Sequence, residues 1–256
     1  MKDVEIIMKR VLLRIAYDGS KYHGWQVQPN KITVQEVINR ELSSLLKEEI
    51  QVIGASRTDA GVHALGNVAV FDSNTQIPSE KISYALNQRL PEDIVVRESR
   101  EVPLDFHPRY QNSIKTYQYT ILNSNFPSPI NRFYSYFVYY PMDLEKMKKA
   151  ASYLIGSHDF KSFCSTKTQV IDTVRTIYNI SIEKEDETIK ITISGNGFLY
   201  NMVRIIVGTL IKVGFSQYSP EDVLDMLMKM DRNVVGPTAP AHGLMLLGIE
   251  YPDLKE

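Results

Sequence analysis

The stretch from Phe198 to Val213 is the most apolar in the chain, and it limits what the rest can become. Arg204 and Lys212 interrupt it, so no run reaches the roughly 18 apolar residues a membrane-spanning helix needs. It reads instead as a strongly apolar helix of a soluble fold, ended by Gly214. Arg204 is the only charge between Phe198 and Ile211. A guanidinium there must either emerge at the surface or meet an anion, because an unpaired buried charge is very costly. A carboxylate from elsewhere in the chain suits its fork, and would stay ionised beside it. A solvent-edge position or a structural acid would satisfy Arg204 equally.

Around this helix the pattern alternates between strands and helices. Val11 to Tyr17 reads as a strand, turned by Asp18-Gly19. Thr33 and Glu36 form a capping box ahead of Val34, Val37, Ile38, Leu42, Leu45 and Leu46, which have helical spacing. Ile50–Ile53, Val68–Phe71 and Ile94–Val96 read as strands, with a helix capped by Ser79 between the last two and ended by Pro91. The second half has a similar order. Lys115–Leu122 is a strand, Asp143 caps a helix to Ile155, Thr176–Glu183 and Thr188–Ser194 make a hairpin, and Ser219-Pro220 opens a helix to about Met230. Leu244–Tyr251 closes the chain as a strand. Hairpins mixed with crossovers predict an α+β fold of two halves, 9–104 and 105–252, joined near Pro103–Pro108.

Composition excludes several classes. The 256 residues are 43% hydrophobic and 23% charged, which is ordinary for a globular chain and excludes disorder. Lys plus Arg is 29 against 30 Asp plus Glu, so a uniformly basic nucleic-acid coat is ruled out, while a local basic groove is not. Lys9, Arg10, Lys21, Arg109 and Lys115 are candidates for such a groove. A single cysteine, Cys164, excludes a disulfide framework and reads as a buried small residue. Met1–Arg10 has no apolar core of a signal peptide, which predicts a cytoplasmic protein.

The chemistry-bearing segment is Gly54-Ala55-Ser56-Arg57-Thr58-Asp59-Ala60-Gly61-Val62-His63-Ala64, between two strands. Alternate loop residues can point to one side, so Arg57 and Asp59 could face one cleft. A tight turn capped by Asp59 is the plainer reading. Tyr117 and Tyr119 are two apart on a strand beside Lys115, the grouping that grips single-stranded bases, though strand aromatics more often fill a core. Phe133 to Tyr140 holds six aromatics in eight residues and reads as core or subunit interface. The five histidines show no metal-ligand spacing, and no nucleotide-binding glycine loop is present. An enzyme built from this chain would work with side chains alone.

Tyr17-Asp18-Gly19, Gly24-Trp25-Gln26 and Thr33-Val34-Gln35-Glu36 resemble the opening motifs of the tRNA pseudouridine synthase A (TruA) family. Ser56 to Ala64 is similar to its catalytic loop nearly letter for letter. Phe106-His107-Pro108-Arg109-Tyr110, Lys115-Thr116-Tyr117-Gln118-Tyr119, Gly156 to Phe160, Gly197-Phe198 with Met202 to Gly208, and His242-Gly243-Leu244 follow in family order. The resemblance runs from about residue 9 to 252.

The resemblance implies the pseudouridine synthase α+β fold, two related halves with joined sheets, helices against them and a central RNA-binding cleft. It implies isomerisation of uridine to pseudouridine in the tRNA anticodon arm, at positions 38 to 40. Asp59 matches the catalytic nucleophile, Tyr117 the tyrosine that packs on the target base, and Arg204 the arginine paired with the aspartate. Arg57 matches the arginine that holds the flipped nucleotide. The implied assembly is a homodimer acting on tRNA, with no cofactor, no metal and no membrane. Three rivals differ in kind. A non-catalytic tRNA-binding protein would tolerate loss of Asp59. A paralogue would modify other uridines. A carboxylate-dependent hydrolase would want a second acid or a metal, and no such motif is visible.

Overall fold

The computed structural model describes residues 8–166 and 170–254. Whether residues 1–7 belong to the natural protein is a question that falls outside the described residues. The chain divides into two compact units, Met1–Gln111 and Asn112–Glu256.

In the first unit, β1 (Lys9–Tyr17) leads to α1 (Val34–Leu46), the short β2 (Ile53–Gly54), β3 (His63–Ser73), α2 (Ile82–Asn87) and β4 (Ile94–Val102). The order is β4-β1-β3, with β2 on the other edge of β3, and all pairings are antiparallel. β1 is central, and Val11, Leu12, Leu13 and Ile15 are buried along it. The Thr33 half of the capping box forms, with Thr33 Oγ1 accepting the Glu36 N–H at 3.4 Å, and Val34, Val37, Ile38 and Leu42 are the buried stripe of α1. Ser79 does not cap α2. It begins a single 3-10 turn, makes no side-chain cap bond, and its buried hydroxyl has no partner among the described residues. Pro78 takes the N-cap position of that turn (φ −53°, ψ 137°) and Lys81 that of α2, neither with a side-chain cap bond, so the helix starts at Ile82 without a polar cap.

The segment after β4 belongs to this unit, so the division falls later than the Pro103–Pro108 join. The reason is local anchoring. Arg10 donates to Phe106 O at 2.9 Å, and Arg109 donates to Gly54 O at 2.7 Å.

The second unit contains β5 (Ile114–Asn123), β6 (Tyr136–Val138), α3 (Leu144–Ser152), β7 (Gly156–Asp159), β8 (Val174–Glu185), β9 (Thr188–Gly195), α4 (Met202–Gly214), α5 (Asp222–Lys229) and β10 (Leu244–Glu250). Its strands run β10-β5-β9-β8-β7 antiparallel, and β6 pairs with β5 in parallel, so the sheet is mixed. Asp143 caps α3 through the Lys146 N–H at 3.1 Å. Helix α4 packs against α3 and β5, and Ile205, Ile206, Val207 and Leu210 are fully buried on it. It starts at Met202 rather than Phe198 because Asn201 takes a left-handed conformation (φ 62°). No helix among the described residues is long and apolar enough to cross a membrane.

Cys164 is buried, as a small apolar residue would be. The aromatic run does not form core: Phe133, Tyr134, Tyr139 and Tyr140 are all exposed. Strand pairing reaches only the three residues of β6, and although Asn123 of β5 donates to Tyr140 O at 2.9 Å, the Tyr139 and Tyr140 rings beyond it stay exposed.

Candidate active site

The loop between β2 and β3 is held from beneath along its length. Ser56, Thr58 and Val62 are buried, Asp59 is half-buried, and Arg57 is exposed. Thr58 thus points inward while the residues either side of it point out. Arg57 and Asp59 thus stand on either side of the buried Thr58 in one loop.

The inward residues are fixed by polar contacts from β1 and β3. Tyr17 Oη and Thr58 Oγ1 are hydrogen-bonded at 2.7 Å. Asn67, fully buried on β3, accepts the Ser56 N–H at 3.3 Å and returns its Nδ2 to Ser56 O at 3.1 Å. The same Nδ2 lies 3.4 Å from Tyr17 Oη. Buried polar groups must be paired, so this cluster has one low-energy arrangement and the loop inherits it.

A second segment, Gly19 to Trp25, presses on the loop from the other side. Trp25 N–H donates to Thr58 O at 3.0 Å, and Gly61 N–H donates to Tyr22 O at 3.3 Å. At Gly24 the backbone is left-handed (φ 85°), and a Cβ there would stand 2.5 Å from Thr58 O. Only glycine permits that approach. His63, buried at the loop's exit, accepts the Gly19 N–H on Nδ1 at 3.1 Å. The same atom is 3.1 Å from Asp18 Oδ1. Nδ1 cannot accept from one and donate to the other at once. The Gly19 bond has the directed backbone donor, and it favours the tautomer protonated on Nε2. The Tyr17-Asp18-Gly19 and Gly24-Trp25 motifs therefore act as braces for the loop.

The second unit carries Tyr117 and Arg204. Tyr117 lies on β5 opposite Ile193 of β9 and Leu246 of β10, and is 9% exposed. Its ring meets Phe198 edge to face, with centroids 5.3 Å apart. Tyr119, two residues on, is core: it is fully buried and donates its hydroxyl to Pro240 O at 2.8 Å. Burial is the main reason its phenol is pushed far above the ordinary range.

Arg204 is half-buried on the first turn of α4. Its Nε donates to Ala239 O at 2.7 Å and its Nη1 to Asn201 Oδ1 at 2.9 Å. Ala239 N–H in turn donates to Arg204 O at 3.0 Å. The crossing strap, residues 236–240, can lie this close because Gly208 has no side chain. A Cβ there would fall 1.8 Å from Pro237 O. The helix motif from Met202 to Gly208 thus pairs an arginine with the glycine that lets its anchor approach.

Several residues had no individual signal in the sequence. Asn67 is one polar position within an apolar strand, Ala239 contributes only backbone, and Arg109 reaches back 55 positions. Arg10 leaves the list of groove candidates. It is clamped by Asp72 through two bonds of 2.7 Å, which raise its pKa. Among the described residues, no group of three or more His, Cys, Asp or Glu is arranged to hold a metal ion.

Comparison with known proteins identifies relatives over both units. The family model described as tRNA pseudouridine synthase matches residues 14–111 and 150–252. A tRNA pseudouridine synthase A of Thermoanaerobacter sp. is 50% identical over 95% of this chain and 100% of its own length. Its counterpart in Acetivibrio thermocellus is 50% identical over the same shares, 95% and 100%. That of Brevibacillus brevis is 46% identical, again over 95% and 100%. Synthases of this kind are isomerases, and the α+β arrangement described above is theirs. With matches of this extent on both units, the chain belongs to the tRNA pseudouridine synthase A family.

Proposed function

We propose that the protein isomerises uridine to pseudouridine in the anticodon arm of tRNA, at positions 38 to 40, with Asp59 as the nucleophile. The observation that carries this reading is the bracing of the Asp59 loop on both sides. Tyr17, Asn67 and Trp25 hold its inward atoms, while the Asp59 carboxylate is only half-buried. A carboxylate fixed in place and open on one side is suited to attack a bound substrate.

The reaction breaks the N1–C1′ bond of uridine and forms a bond from C1′ to C5 of the same base. C5 loses its proton to solvent and N1 gains one. Nothing is oxidised and no group is imported. The base must first leave the stack, at a cost of a few kcal/mol. The family resemblance supports Tyr117 as the ring on which the base rests during its rotation. It supports Arg204 as the countercharge that keeps Asp59 ionised, and Arg57 as the group that holds the flipped nucleotide. A homodimer acting on one tRNA, in the cytoplasm, completes the reading.

The test uses an unmodified tRNA transcript labelled with tritium at uridine C5. Wild type is expected to release the label and modify the anticodon arm. Asp59→Ala is expected to release none while still binding tRNA. Release by both proteins would remove the nucleophile assignment, and release mapping to another arm would move the activity to other uridines.

A further inference from the structure

Two arginines stand together on the first unit. Residues 103–110 fold back after β4: Phe106 N–H donates to Pro103 O, and Tyr110 N–H donates to His107 O. His107 stacks on Tyr110 with centroids 4.2 Å apart and accepts the Arg109 N–H on Nδ1 at 3.2 Å. This tight turn directs the Arg109 side chain to β2, where Nε donates to Gly54 O at 2.7 Å. Gly54 leads directly into the loop of Arg57 and Asp59. Partial burial, and then the nearby charge of Arg57, lower the Arg109 pKa, although it stays protonated at neutral pH.

The anomaly is the lack of an anion. Arg10 and Arg14 on β1 hold Asp72 and Glu98. Among the described residues, no carboxylate is within ion-pair distance of Arg57 or Arg109. The bond to Gly54 commits only Nε, which leaves both terminal nitrogens of Arg109 for a ligand. Arg109 is tied to Gly54, three residues before Arg57, and is influenced by the Arg57 charge; an anion held by both would relieve that repulsion, and their forks match phosphate oxygens. Exposed Tyr110 adds a ring beside them, which single-stranded bases use for stacking.

We propose that Arg57 and Arg109 together seat one backbone phosphate of the bound RNA strand, so that Arg109 is a positioning residue registering the target nucleotide over Asp59. This rests on the reading of the protein as a tRNA-modifying enzyme, and it adds a residue and a ligand atom group to that site.

The test compares tRNA affinity across a salt series for wild type, Arg57→Gln, Arg109→Gln and the double variant. Glutamine carries its amide nitrogen on Cδ, where arginine carries Nε. Arg109→Gln therefore keeps a donor for Gly54 O and loses only the charged fork. Each phosphate neutralised contributes about 0.7–0.9 to the slope of log affinity against log salt. The double variant is expected to lose about that much slope, one phosphate's worth. Over a fourfold rise in salt its affinity then falls about threefold less than that of wild type. An unchanged slope would overturn the seat, and a loss of two phosphates' worth would mean separate contacts. If Arg109→Gln melts early, the exposed Arg57→Gln decides alone, and an unchanged slope there overturns it too. Tritium release by wild type is scored separately. If wild type binds tRNA and loses slope on mutation but releases no label, the seat stands and the isomerase reading fails. If wild type does not bind tRNA, both fail.

Discussion

Replacing Gly24 by alanine perturbs the catalytic loop without replacing any residue proposed to meet substrate. The added Cβ would stand 2.5 Å from Thr58 O, 3.1 Å from the Asp59 carbonyl carbon and 3.2 Å from Ala60 N. Comfortable heavy-atom contact lies near 3.5–4.0 Å for carbon, so the loop backbone must retreat by on the order of 1 Å. All three atoms are backbone, so no side-chain rotation relieves the clash. A left-handed alanine adds a strain of roughly 1–2 kcal/mol, since φ is 85° here. For a chain of this size that corresponds to a melting point lower by about 2–8 °C. A misplacement of about 1 Å at a reacting group costs about 10²-fold in rate. The expectation for Gly24→Ala is therefore a folded protein with near-normal tRNA affinity and kcat for tritium release reduced about 100-fold. Gly248→Ala is the matched control, because a Cβ there meets nothing within 4 Å. Near-normal kcat in Gly24→Ala would refute the claim that this brace sets the position of Asp59.

Tyr117→Phe should keep substantial activity and Tyr117→Leu should lose most of it, because stacking needs the ring; equal losses in single-turnover tritium release would assign the role to the hydroxyl instead. Gly208→Ala should destabilise the protein by about 1–3 kcal/mol in urea unfolding through overpacking, because the new Cβ would lie 1.8 Å from Pro237 O; an unchanged midpoint would mean that the strap is not held there. Asp143 is kept ionised below its ordinary pKa of 3.8, chiefly by the Lys146 N–H. A depressed carboxylate stabilises above its unfolded pKa, and that contribution is lost as pH falls through the folded value. The melting-point advantage of wild type over Asp143→Asn should thus be full at neutral pH and close on acidification below about pH 4; a gap independent of pH would show that the charge contributes nothing.

What could be read from sequence was local. Thr33 with Glu36 and Asp143 with Lys146 cap their helices as short-range rules require, because each cap needs partners only three residues away. The apolar stretch around Arg204 was legible as a helix, but its first turn was not, since Asn201 adopts a conformation that residue type alone does not dictate. Ser79 shows the same limit from the other side: a serine in the right place makes no cap bond when the preceding proline fixes the entry. For the site, residue types pointed to Asp59, Arg57, Tyr117 and Arg204, and the family resemblance assigned their roles. The supports of those residues were not legible. Asn67, Arg109 and Ala239 act across 11, 55 and 35 positions, and no periodic pattern encodes such distances. The exposed rings between Phe133 and Tyr140 were misread as possible core because composition reports hydrophobicity without reporting what remains to cover it.

The strap over α4 has a consequence for the order of folding. Arg204 is anchored at Nε and at its own carbonyl by one residue, Ala239, and Tyr119 is tied to Pro240 across 121 positions. These contacts close long loops, whose entropic cost is met only when nearly the whole chain is available. During synthesis the Asp59 loop can take shape with its own unit, while the arginine waits for the strap at residues 236–240 to leave the ribosome. Assembly of the arginine's setting is therefore a late, post-emergence event, and a chain stopped before Pro237 would lack it however well its first unit had folded.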